Sequence, residues 1–383
     1  MNILFFNLTS LRSGGGFERW LFDIVPQLKK IGHDITIATC DLAVYNRYRL
    51  SLNEVNKILG KKCKIYEFKS WKIPIGSSLL PTIPSYLWFK KKIQTFDIVY
   101  FPATGLYFQD LLIFLEKIKK NIPVIAGIHT SPLRENSLNL YTNIVTRHTL
   151  KIFDVCHVLN PYVKNLLKSW GIINIFLLPH AIDLEKYKPK SHKNNSFCIL
   201  FAGRLVLEKG IDIFYKVLKI LNNSPYHTNL KFLIAGSGDL KIQNYIKDLS
   251  NKFSNVTYLG YVSQEKMPEL YQKCDLFVSP SRTETFGWTI LEAQACGVPV
   301  IASDIPGPNN VIINNETGIL IPVSNVKSLE KAIKHFYNLW KDEPHKFKEF
   351  RRRSRQNIEK KYSLTKYIKK LNEFFANVLS LVS

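Results

Sequence analysis

Two carboxylates eight residues apart, Glu284 and Glu292, stand in a segment where loop signals give way to helix signals. Phe286 and Gly287 allow a tight approach of the backbone, and residues 288–296 have the pattern of a helix. One carboxylate on the loop and one on the helix can hold two separate sets of hydroxyl groups through charge-assisted hydrogen bonds. A sugar and a ribose are natural ligands for such a pair.

The first turn of that predicted helix adds a place for phosphates between the two sugars. Backbone N–H groups there lack partners within the helix, and the helix dipole is positive at that end. A capping glutamate followed by a solvated glutamate on a surface helix is the simpler alternative. That alternative explains neither the loop of Phe286 and Gly287 nor the apolar run at residues 297–301.

A second loop carries two cations. Gly203 ends an apolar run, Arg204 and Lys209 follow five residues apart, and Gly210 opens a helical pattern. A guanidinium can fork onto one phosphate while an ammonium supplies a point charge to another, which suits a diphosphate. Taken alone, an ordinary surface turn with solvated charges explains these residues equally well.

The N-terminal half contributes a glycine loop and a histidine. Gly15 and Gly16 follow the first apolar run and open a helical pattern, so their backbone N–H groups could cradle a phosphate. The spacing differs from the Gly-x-Gly-x-x-Gly of dinucleotide sites. His129 ends the run 124–128, at the edge where open α/β sheets bind ligands, although a single histidine is more often structural.

The elements that must position these residues recur twice along the chain. The apolar runs are continuous rather than alternating, as expected for parallel strands covered on both faces. The first series occupies residues 3–8, 35–40, 65–68, 98–101, 124–128 and 155–159, and the second occupies 197–201, 232–235, 256–259, 276–278, 298–302 and 319–323. Helical or loop-like segments separate the runs, so the pattern predicts two α/β units.

Composition places the domain boundaries. Residues 183–196 are polar and rich in lysine, which is typical of a linker. We therefore expect an N-terminal domain at 1–182, the linker at 183–196, a C-terminal domain at 197–360 and a final helix at 361–383 that packs back on the N-terminal domain. The basic run 351–355 is most simply a solvated helix face rather than a nucleic-acid patch.

Bulk properties restrict the class of protein. A chain of 383 residues favours two domains, and a formal charge of +23 predicts attraction to polyanions. The six cysteines show no Cys-x-x-Cys pair or metal-ligand spacing, which indicates reduced core residues. The sequence shows neither a secretion signal nor an apolar run of membrane-spanning length, so we expect a cytoplasmic protein whose membrane contact is at most peripheral, at the inner face of the cell membrane.

The segment from Glu284 to Glu292 resembles the Glu-x7-Glu motif of glycosyltransferase family 4, whose members are retaining enzymes of the GT-B fold. Other similarities follow in the order of that family, with the C-terminal half the closer match. They lie at residues 203–204, 209–210, 235–238, 260, 274–281 and 317–318. The chain departs from the family at residues 180–183 and 305–310, and neither departure removes a residue assigned to chemistry.

The resemblance implies a fold of two Rossmann-like, doubly wound parallel-sheet domains that face a central cleft. It also implies that Glu292 binds the nucleotide ribose and Glu284 the donor sugar hydroxyls. The diphosphate falls to Arg204 and Lys209, and His129 contacts the donor sugar. The implied catalytic set is His129, Arg204, Lys209 and Glu284. The implied donor-binding set is Gly15, Gly16, Gly203, Arg204, Lys209, Glu284, Thr285, Phe286, Gly287 and Glu292.

The implied reaction is retaining transfer of a hexose-type sugar from a nucleotide-diphosphate sugar to a glycan or lipid-linked acceptor, in surface polysaccharide, glycolipid or N-glycan assembly. We expect no cofactor beyond the donor. A metal is unnecessary in this interpretation, because the chain has no Asp-x-Asp to hold a divalent ion and fixed cations replace it.

Two other functions use some of the same features. A nucleotide-sugar epimerase of similar architecture needs the same diphosphate contacts together with acid/base residues at the sugar carbon. A nucleic-acid-binding protein would use the positive charge, but the sequence shows no recognition module. The charge also suits an anionic membrane, for which the aromatic and lysine segment 86–92 is the best candidate, aided by Lys61, Lys62 and residues 117–120. A surface helix with its aromatic face in the core is an equal alternative for 86–92.

Overall fold

A computed structural model describes residues 1–7, 9–41, 50–60, 63–72, 79–81, 83–102, 122–129, 144, 146–190 and 195–380. The chain divides into two compact units. The first comprises Met1–His180 together with Thr365–Ser383, and the second comprises Ala181–Leu364.

The first unit is built on a parallel sheet. Its strands are β1 (Asn2–Asn7), β2 (Asp34–Cys40), β3 (Lys64–Phe68), β4 (Ser70–Lys72), β5 (Leu79–Pro81), β6 (Ile98–Pro102), β7 (Val124–Ile128), β8 (Val155–Val158) and β9 (Ile175–Leu177). Seven of them form one sheet in the order β3-β2-β1-β6-β7-β8-β9, and β4 pairs with β5 in a separate antiparallel ribbon. Described helices are α1 (Gly16–Lys30), α2 (Leu52–Leu59), α3 (Ile83–Lys92) and α4 (Pro161–Ser169).

The second unit repeats this architecture. Its strands are β10 (Phe197–Ala202), β11 (Leu230–Ala235), β12 (Val256–Gly260), β13 (Leu276–Ser279), β14 (Val300–Ser303) and β15 (Gly318–Ile321), in the sheet order β12-β11-β10-β13-β14-β15. Its helices are α5 (Ile211–Asn222), α6 (Leu240–Lys252), α7 (Met267–Gln272), α8 (Trp288–Ala295), α9 (Pro308–Val311), α10 (Val326–Asp342) and α11 (Pro344–Lys361).

Strand order gives each unit a topological switch point. The chain runs from β1 outward to β3 and then returns to β6 on the other side of β1, and it runs from β10 outward to β12 before it returns to β13. All neighbouring strands in both sheets pair in parallel. The predicted pair of doubly wound parallel-sheet domains is therefore confirmed.

Burial explains why the apolar runs became strands. Every residue of β6, β7, β10, β13 and β14 is buried, because helices cover both faces of the sheet. Side-chain caps begin several helices. The Asn160 side chain accepts a hydrogen bond from the Val163 N–H at 2.8 Å before α4, and Asp239 accepts from Lys241 at 2.8 Å before α6.

The last helix, α12 (Leu364–Ser380), belongs to the core of the first unit. The Trp20 indole N–H donates to the Tyr367 hydroxyl at 2.8 Å. Phe374 stacks on Phe176 with ring centroids 3.9 Å apart. Since these contacts join the end of the chain to α1 and β9, the first unit is completed only by the last helix.

The basic run on α11 is only partly the solvated face that the sequence predicted. The side chains of Arg351 and Arg355 are 19% and 16% exposed, whereas Arg352 and Arg353 pair with Glu349 in the solvent. The Arg355 guanidinium donates to the Ala295 carbonyl at 2.7 Å, at the end of α8. Positions four apart share one face of a helix, so Arg351 and Arg355 both face the protein while Arg352 and Arg353 face the solvent.

Candidate active site

The two charged loops recognised in the sequence meet at the carboxyl edge of the second sheet. Residues 203–210 follow β10, and residues 280–287 follow its neighbour β13. The backbone N–H of Arg282 donates to the Glu208 carbonyl at 2.8 Å, and this hydrogen bond joins the two loops. This edge lies at the switch point between β10 and β13, where open α/β sheets bind their ligands.

Lys209 and Glu284 form an ion pair within this edge. The Lys209 Nζ lies 2.5 Å from Glu284 Oε2, and the two side chains are 21% and 17% exposed. The Thr285 N–H donates to the other carboxylate oxygen at 3.2 Å. The structure thus brings together two residues predicted separately, and each neutralises the other. Arg204 lies half-buried on the same loop as Lys209.

A second ion pair ties the same two loops together. The Arg282 guanidinium donates two hydrogen bonds of 2.7 Å to the two oxygens of Asp212, in the first turn of α5, and a further one to the Leu207 carbonyl. The hydrogen bonds from Arg282 lower the pKa of Asp212. Sequence reasoning missed this pair. The available signal was that Asp212 lies three residues after Lys209 and that Arg282 lies two residues before Glu284.

Two glycines permit close approaches to the loop after β10: Gly210 to the loop after β13, and Gly236, which follows β11, to Gly203. A Cβ on Gly210 would lie 1.9 Å from the Pro280 carbonyl oxygen, and the residue has φ +68°. A Cβ on Gly236 would lie 1.8 Å from the Gly203 carbonyl oxygen, with φ +142°. Only glycine meets both requirements, the absent side chain and the positive φ.

The loop after β14 supports the Glu284 segment from the other side. A Cβ on Gly307 would lie 3.0 Å from the Phe286 backbone nitrogen and 3.1 Å from the Glu284 carbonyl oxygen. This is the loop where the chain departs from the family pattern at residues 305–310. Its backbone packs directly on the Thr285 and Phe286 segment that leads to Gly287 and α8.

Glu292 lies on α8 in a buried position, 2% exposed. Its two carboxylate oxygens accept hydrogen bonds from the Tyr187 hydroxyl at 2.8 Å and the Tyr271 hydroxyl at 2.7 Å. Tyr187 comes from the segment predicted as a linker, so this part of the segment is packed into the second unit. No pattern in the sequence pointed to either tyrosine.

The glycine loop of the first unit lies at the start of α1. Gly15 caps the helix and Gly16 is its first residue. The buried carboxylate of Glu18 accepts hydrogen bonds from the Asn7 amide at 3.1 Å and from the Thr9 hydroxyl. A Cβ on Gly15 would lie 2.5 Å from Glu18 Oε2, so this carboxylate lies against the loop.

His129 follows β7 at the carboxyl edge of the first sheet and is half-buried. Its Nε2 lies 2.8 Å from the Tyr100 hydroxyl, and its Nδ1 lies 3.3 Å from His180 Nε2. The ring centroids of Trp20 and Phe17 lie 4.7 and 4.8 Å from that of His129. Burial, followed by the nearby His180 and His157, holds the pKa of His129 well below its usual value.

Two protein families match the chain. The family described as "Glycosyl transferases group 1" matches residues 183–359, and the family described as "Glycosyltransferase Family 4" matches residues 14–186. The two matches meet in the segment that connects the sheets. Together they contain every residue that the sequence suggested for chemistry.

Individual relatives cover different shares of the chain. An uncharacterized glycosyltransferase of Methanocaldococcus jannaschii is 27% identical over 330 residues, 85% of each chain. A D-inositol 3-phosphate glycosyltransferase of Paenarthrobacter aurescens is 31% identical over 177 residues, 43% of each chain. A UDP-Gal:alpha-D-GlcNAc-diphosphoundecaprenol alpha-1,3-galactosyltransferase of Escherichia coli is 30% identical over 175 residues, 42% of this chain and 44% of its own length. The last two matches thus span less than half of those proteins.

The fold is shared with solved structures. The Anabaena protein HepE, solved in complex with UDP and glucose, superposes with a TM-score of 0.75 at 18% identity and covers 98% of this chain and 99% of its own. This likeness shows that the fold is GT-B. The two family matches together extend from residue 14 to residue 359. The chain therefore belongs to the glycosyltransferases, with the family 4 match in its N-terminal half and the group 1 match in its C-terminal half.

Proposed function

We propose that this chain is a retaining glycosyltransferase that moves a hexose-type sugar from a nucleotide-diphosphate sugar to a glycan or lipid-linked acceptor. The observation that carries the proposal is the Lys209–Glu284 pair, 2.5 Å apart at the switch point of the second sheet. A cation and a carboxylate in contact match the two halves of the donor, a diphosphate and a sugar rich in hydroxyl groups.

In the proposed reaction the bond between the anomeric carbon and the β-phosphate oxygen breaks, and the acceptor hydroxyl oxygen forms the new bond. The negative charge that develops on the β-phosphate is stabilised by Arg204 and Lys209, so no metal ion is required. The leaving phosphate takes the proton of the acceptor hydroxyl. Glu284 acts by holding donor hydroxyls and not as a covalent nucleophile, and His129 is a further contact of the donor sugar.

The pairing of Lys209 with Glu284 has a use before the donor binds. In the free protein the Lys209 ammonium and the Glu284 carboxylate neutralise each other. When the donor binds, the ammonium turns to phosphate and the carboxylate to hydroxyl groups. Each then exchanges one charge-assisted contact for another.

Glu292 keeps the proposed ribose contact. The hydroxyls of Tyr187 and Tyr271 donate to its two carboxylate oxygens. The two tyrosines hold the carboxylate in one orientation. The carboxylate oriented in this way is the proposed acceptor for ribose hydroxyls.

A lipid-linked acceptor in surface polysaccharide, glycolipid or N-glycan assembly is the proposed setting, at the inner face of the cell membrane. Two observations support it. The relative from Escherichia coli is named for a diphosphoundecaprenol acceptor, and this chain carries a formal charge of +23. None of the helices in the described ranges is long and apolar enough to span a bilayer, so the proposed contact is peripheral.

Segment 86–92 on α3 divides between core and solvent. Phe89 is buried, and the Trp88 ring packs against Tyr66 with centroids 4.7 Å apart. Leu87 and the three lysines 90–92 are exposed. These exposed side chains are the proposed contact with an anionic membrane. The other lysines suggested for it, Lys61, Lys62 and those of residues 117–120, lie outside the described residues.

The donor is tested by screening purified protein against UDP- and GDP-sugars for thermal stabilisation and for release of nucleotide on addition of acceptor. The true donor raises the apparent stability because it binds only the folded state. The Glu284→Gln variant should lose most of the stabilisation. Interconversion of donor sugars without acceptor would instead indicate an epimerase, and steeply salt-dependent binding of DNA or RNA without any sugar donor would indicate a nucleic-acid-binding protein.

Membrane contact is tested by flotation with vesicles containing anionic lipid. Replacing lysines 90–92 by serine should reduce the bound fraction. The matched control replaces Lys366, Lys369 and Lys370 on α12 by serine. These lysines are also exposed, and their replacement removes the same amount of charge. Equal loss in both variants would mean that only total charge matters, and no binding by the wild-type protein would contradict the proposal.

A further inference from the structure

A chain of buried hydrogen bonds runs through the first unit to His129. His157 Nε2 lies 2.8 Å from the Leu178 carbonyl oxygen, and His157 Nδ1 lies 2.7 Å from the Tyr100 hydroxyl. The same hydroxyl lies 2.8 Å from His129 Nε2. Both Tyr100 and His157 are fully buried.

The Leu178 carbonyl sets the direction of the first two bonds. A carbonyl only accepts, so His157 carries its proton on Nε2. Burial lowers the pKa of His157 to about 4, and its ring is therefore neutral near pH 7. A neutral ring with a proton on Nε2 has a lone pair on Nδ1. The Tyr100 hydroxyl must donate to that atom.

The third bond follows from the second. A tyrosine hydroxyl has a single proton, and the Tyr100 hydroxyl donates that proton to His157. His129 Nε2 can then only donate to the Tyr100 oxygen, which places the proton of the neutral His129 on Nε2. Its Nδ1 is left as an acceptor, and it faces His180 Nε2 at 3.3 Å.

We propose that Tyr100 and His157 are positioning residues that hold His129 as the Nε2-protonated tautomer, with Nδ1 as its hydrogen-bond acceptor. This series of hydrogen bonds ends at the Leu178 carbonyl, which has no proton to donate. The hydrogen bonds therefore orient His129 and do not conduct protons. The bearing of this inference on sugar transfer rests on the proposed function. The tautomer itself does not.

The packing around these hydrogen bonds supports the positioning of His129. A Cβ on Gly127 would lie 2.4 Å from the Tyr100 hydroxyl oxygen, so the glycine leaves the space through which that hydroxyl reaches both histidines. The Trp20 ring lies against His129 and is itself fixed by its bond to Tyr367. Hydrogen bonds fix the edge of the imidazole, and aromatic contact fixes its face.

Nitrogen-15 NMR of the full-length protein tests the tautomer directly, with His129 assigned by the loss of its signals in His129→Asn. Near pH 7 we expect the long-range proton–nitrogen pattern of an Nε2–H imidazole. In His157→Phe the Tyr100 hydroxyl loses its acceptor, donates to His129 instead, and should convert it to the Nδ1–H form. An Nδ1–H pattern in the wild-type protein would overturn the proposal.

Tyr100→Phe, the more conservative variant, keeps the test independent of folding defects in His157→Phe. It should give a mixture of His129 tautomers and lower kcat by about tenfold to a hundredfold, since a misplaced contact costs up to about 10²-fold. Thr39→Val removes another buried hydroxyl of the same unit, one that donates to the Thr9 carbonyl, and should keep the wild-type tautomer. Unchanged His129 signals in Tyr100→Phe would also reject the proposal. Absence of transfer by the wild-type protein would reject the proposed function and leave the NMR result standing.

Discussion

At the scale of single residues, the site consists of charges that satisfy each other before any ligand arrives. Lys209 and Glu284 are in contact, and Glu292 is held by two tyrosine hydroxyls. An ion pair that is partly exposed contributes little to folding. We therefore expect its energetic value to lie in the proposed transfer rather than in stability, and the two quantities can be measured separately.

Replacing Lys209 by methionine should lower the transfer rate by about 100-fold or more, because in the proposed reaction the leaving β-phosphate loses a preorganised cation. The free energy of unfolding should change by less than about 1 kcal/mol. Transfer kinetics and urea unfolding measure the two effects. Lys334→Met is the matched control, since Lys334 is also a partly exposed lysine paired with a glutamate, Glu330. Full transfer by Lys209→Met would remove this residue from the site.

At the scale of elements, the two loops are held together by an ion pair that is separate from the residues proposed to meet the donor. The bidentate pair of Arg282 and Asp212 connects the loop after β13 to the first turn of α5. Bidentate geometry fixes orientation as well as distance. We therefore expect this pair to set the separation of Lys209 and Glu284.

Arg282→Gln should raise the KM for the donor by roughly tenfold, as expected when about 1.4 kcal/mol of positioning is lost, with a smaller change in kcat. Steady-state kinetics over a range of donor concentrations separates the two constants. Arg352→Gln, which removes an exposed arginine paired with Glu349, is the control. If both variants behave alike, the Arg282–Asp212 pair has no positioning role.

Gly210→Ala should destabilise the protein by about 3 kcal/mol or more, because its Cβ would collide with the Pro280 main chain in addition to the cost of a positive φ. Gly32→Ala measures the cost of a positive φ alone. Gly32 has φ +94° with open space around its missing Cβ, so its replacement should cost only about 1–2 kcal/mol. Urea unfolding compares the variants, and equal losses would show that the β10 and β13 loops can separate without penalty.

At the scale of the whole molecule, the two units should respond differently to acid. Burial lowers the pKa values of His129, His157 and His180, all in the first unit, and that of His157 falls to about 4. The unfolded chain takes up protons below its ordinary histidine pKa of about 6.5, while the folded unit does not. Stability is therefore complete above that pH and is lost as the pH falls toward 4.

For His157 alone the loss should reach about 3 kcal/mol near pH 4, from a shift of roughly two and a half pKa units. Hydrogen exchange at pH 7.5, 6 and 5, corrected for intrinsic rates, should show protection falling first in the first unit. His157→Leu should flatten the pH dependence, and His345→Leu, at an exposed histidine of the second unit, should not. Earlier opening of the second unit would contradict the prediction.

The sequence by itself determined the two parallel sheets and the loops that carry the charges. Short continuous apolar runs such as β10 and β13 are typical of strands buried on both faces, and the residues that follow such strands gather at one edge. Lys209 and Glu284 could therefore be identified as candidates without a structure. These features depend on the pattern within a few residues, which is visible along the chain.

Only the tertiary structure decided which of those residues meet. Lys209 pairs with Glu284 and Asp212 with Arg282 because β10 and β13 are neighbours, although β11 and β12 come between them in the sequence. Likewise, the burial of Arg355 and the contact of Tyr100 with His157 follow from packing between distant elements. Partners so far apart leave no periodic signal, since strand order and helix packing alone bring them within hydrogen-bonding distance.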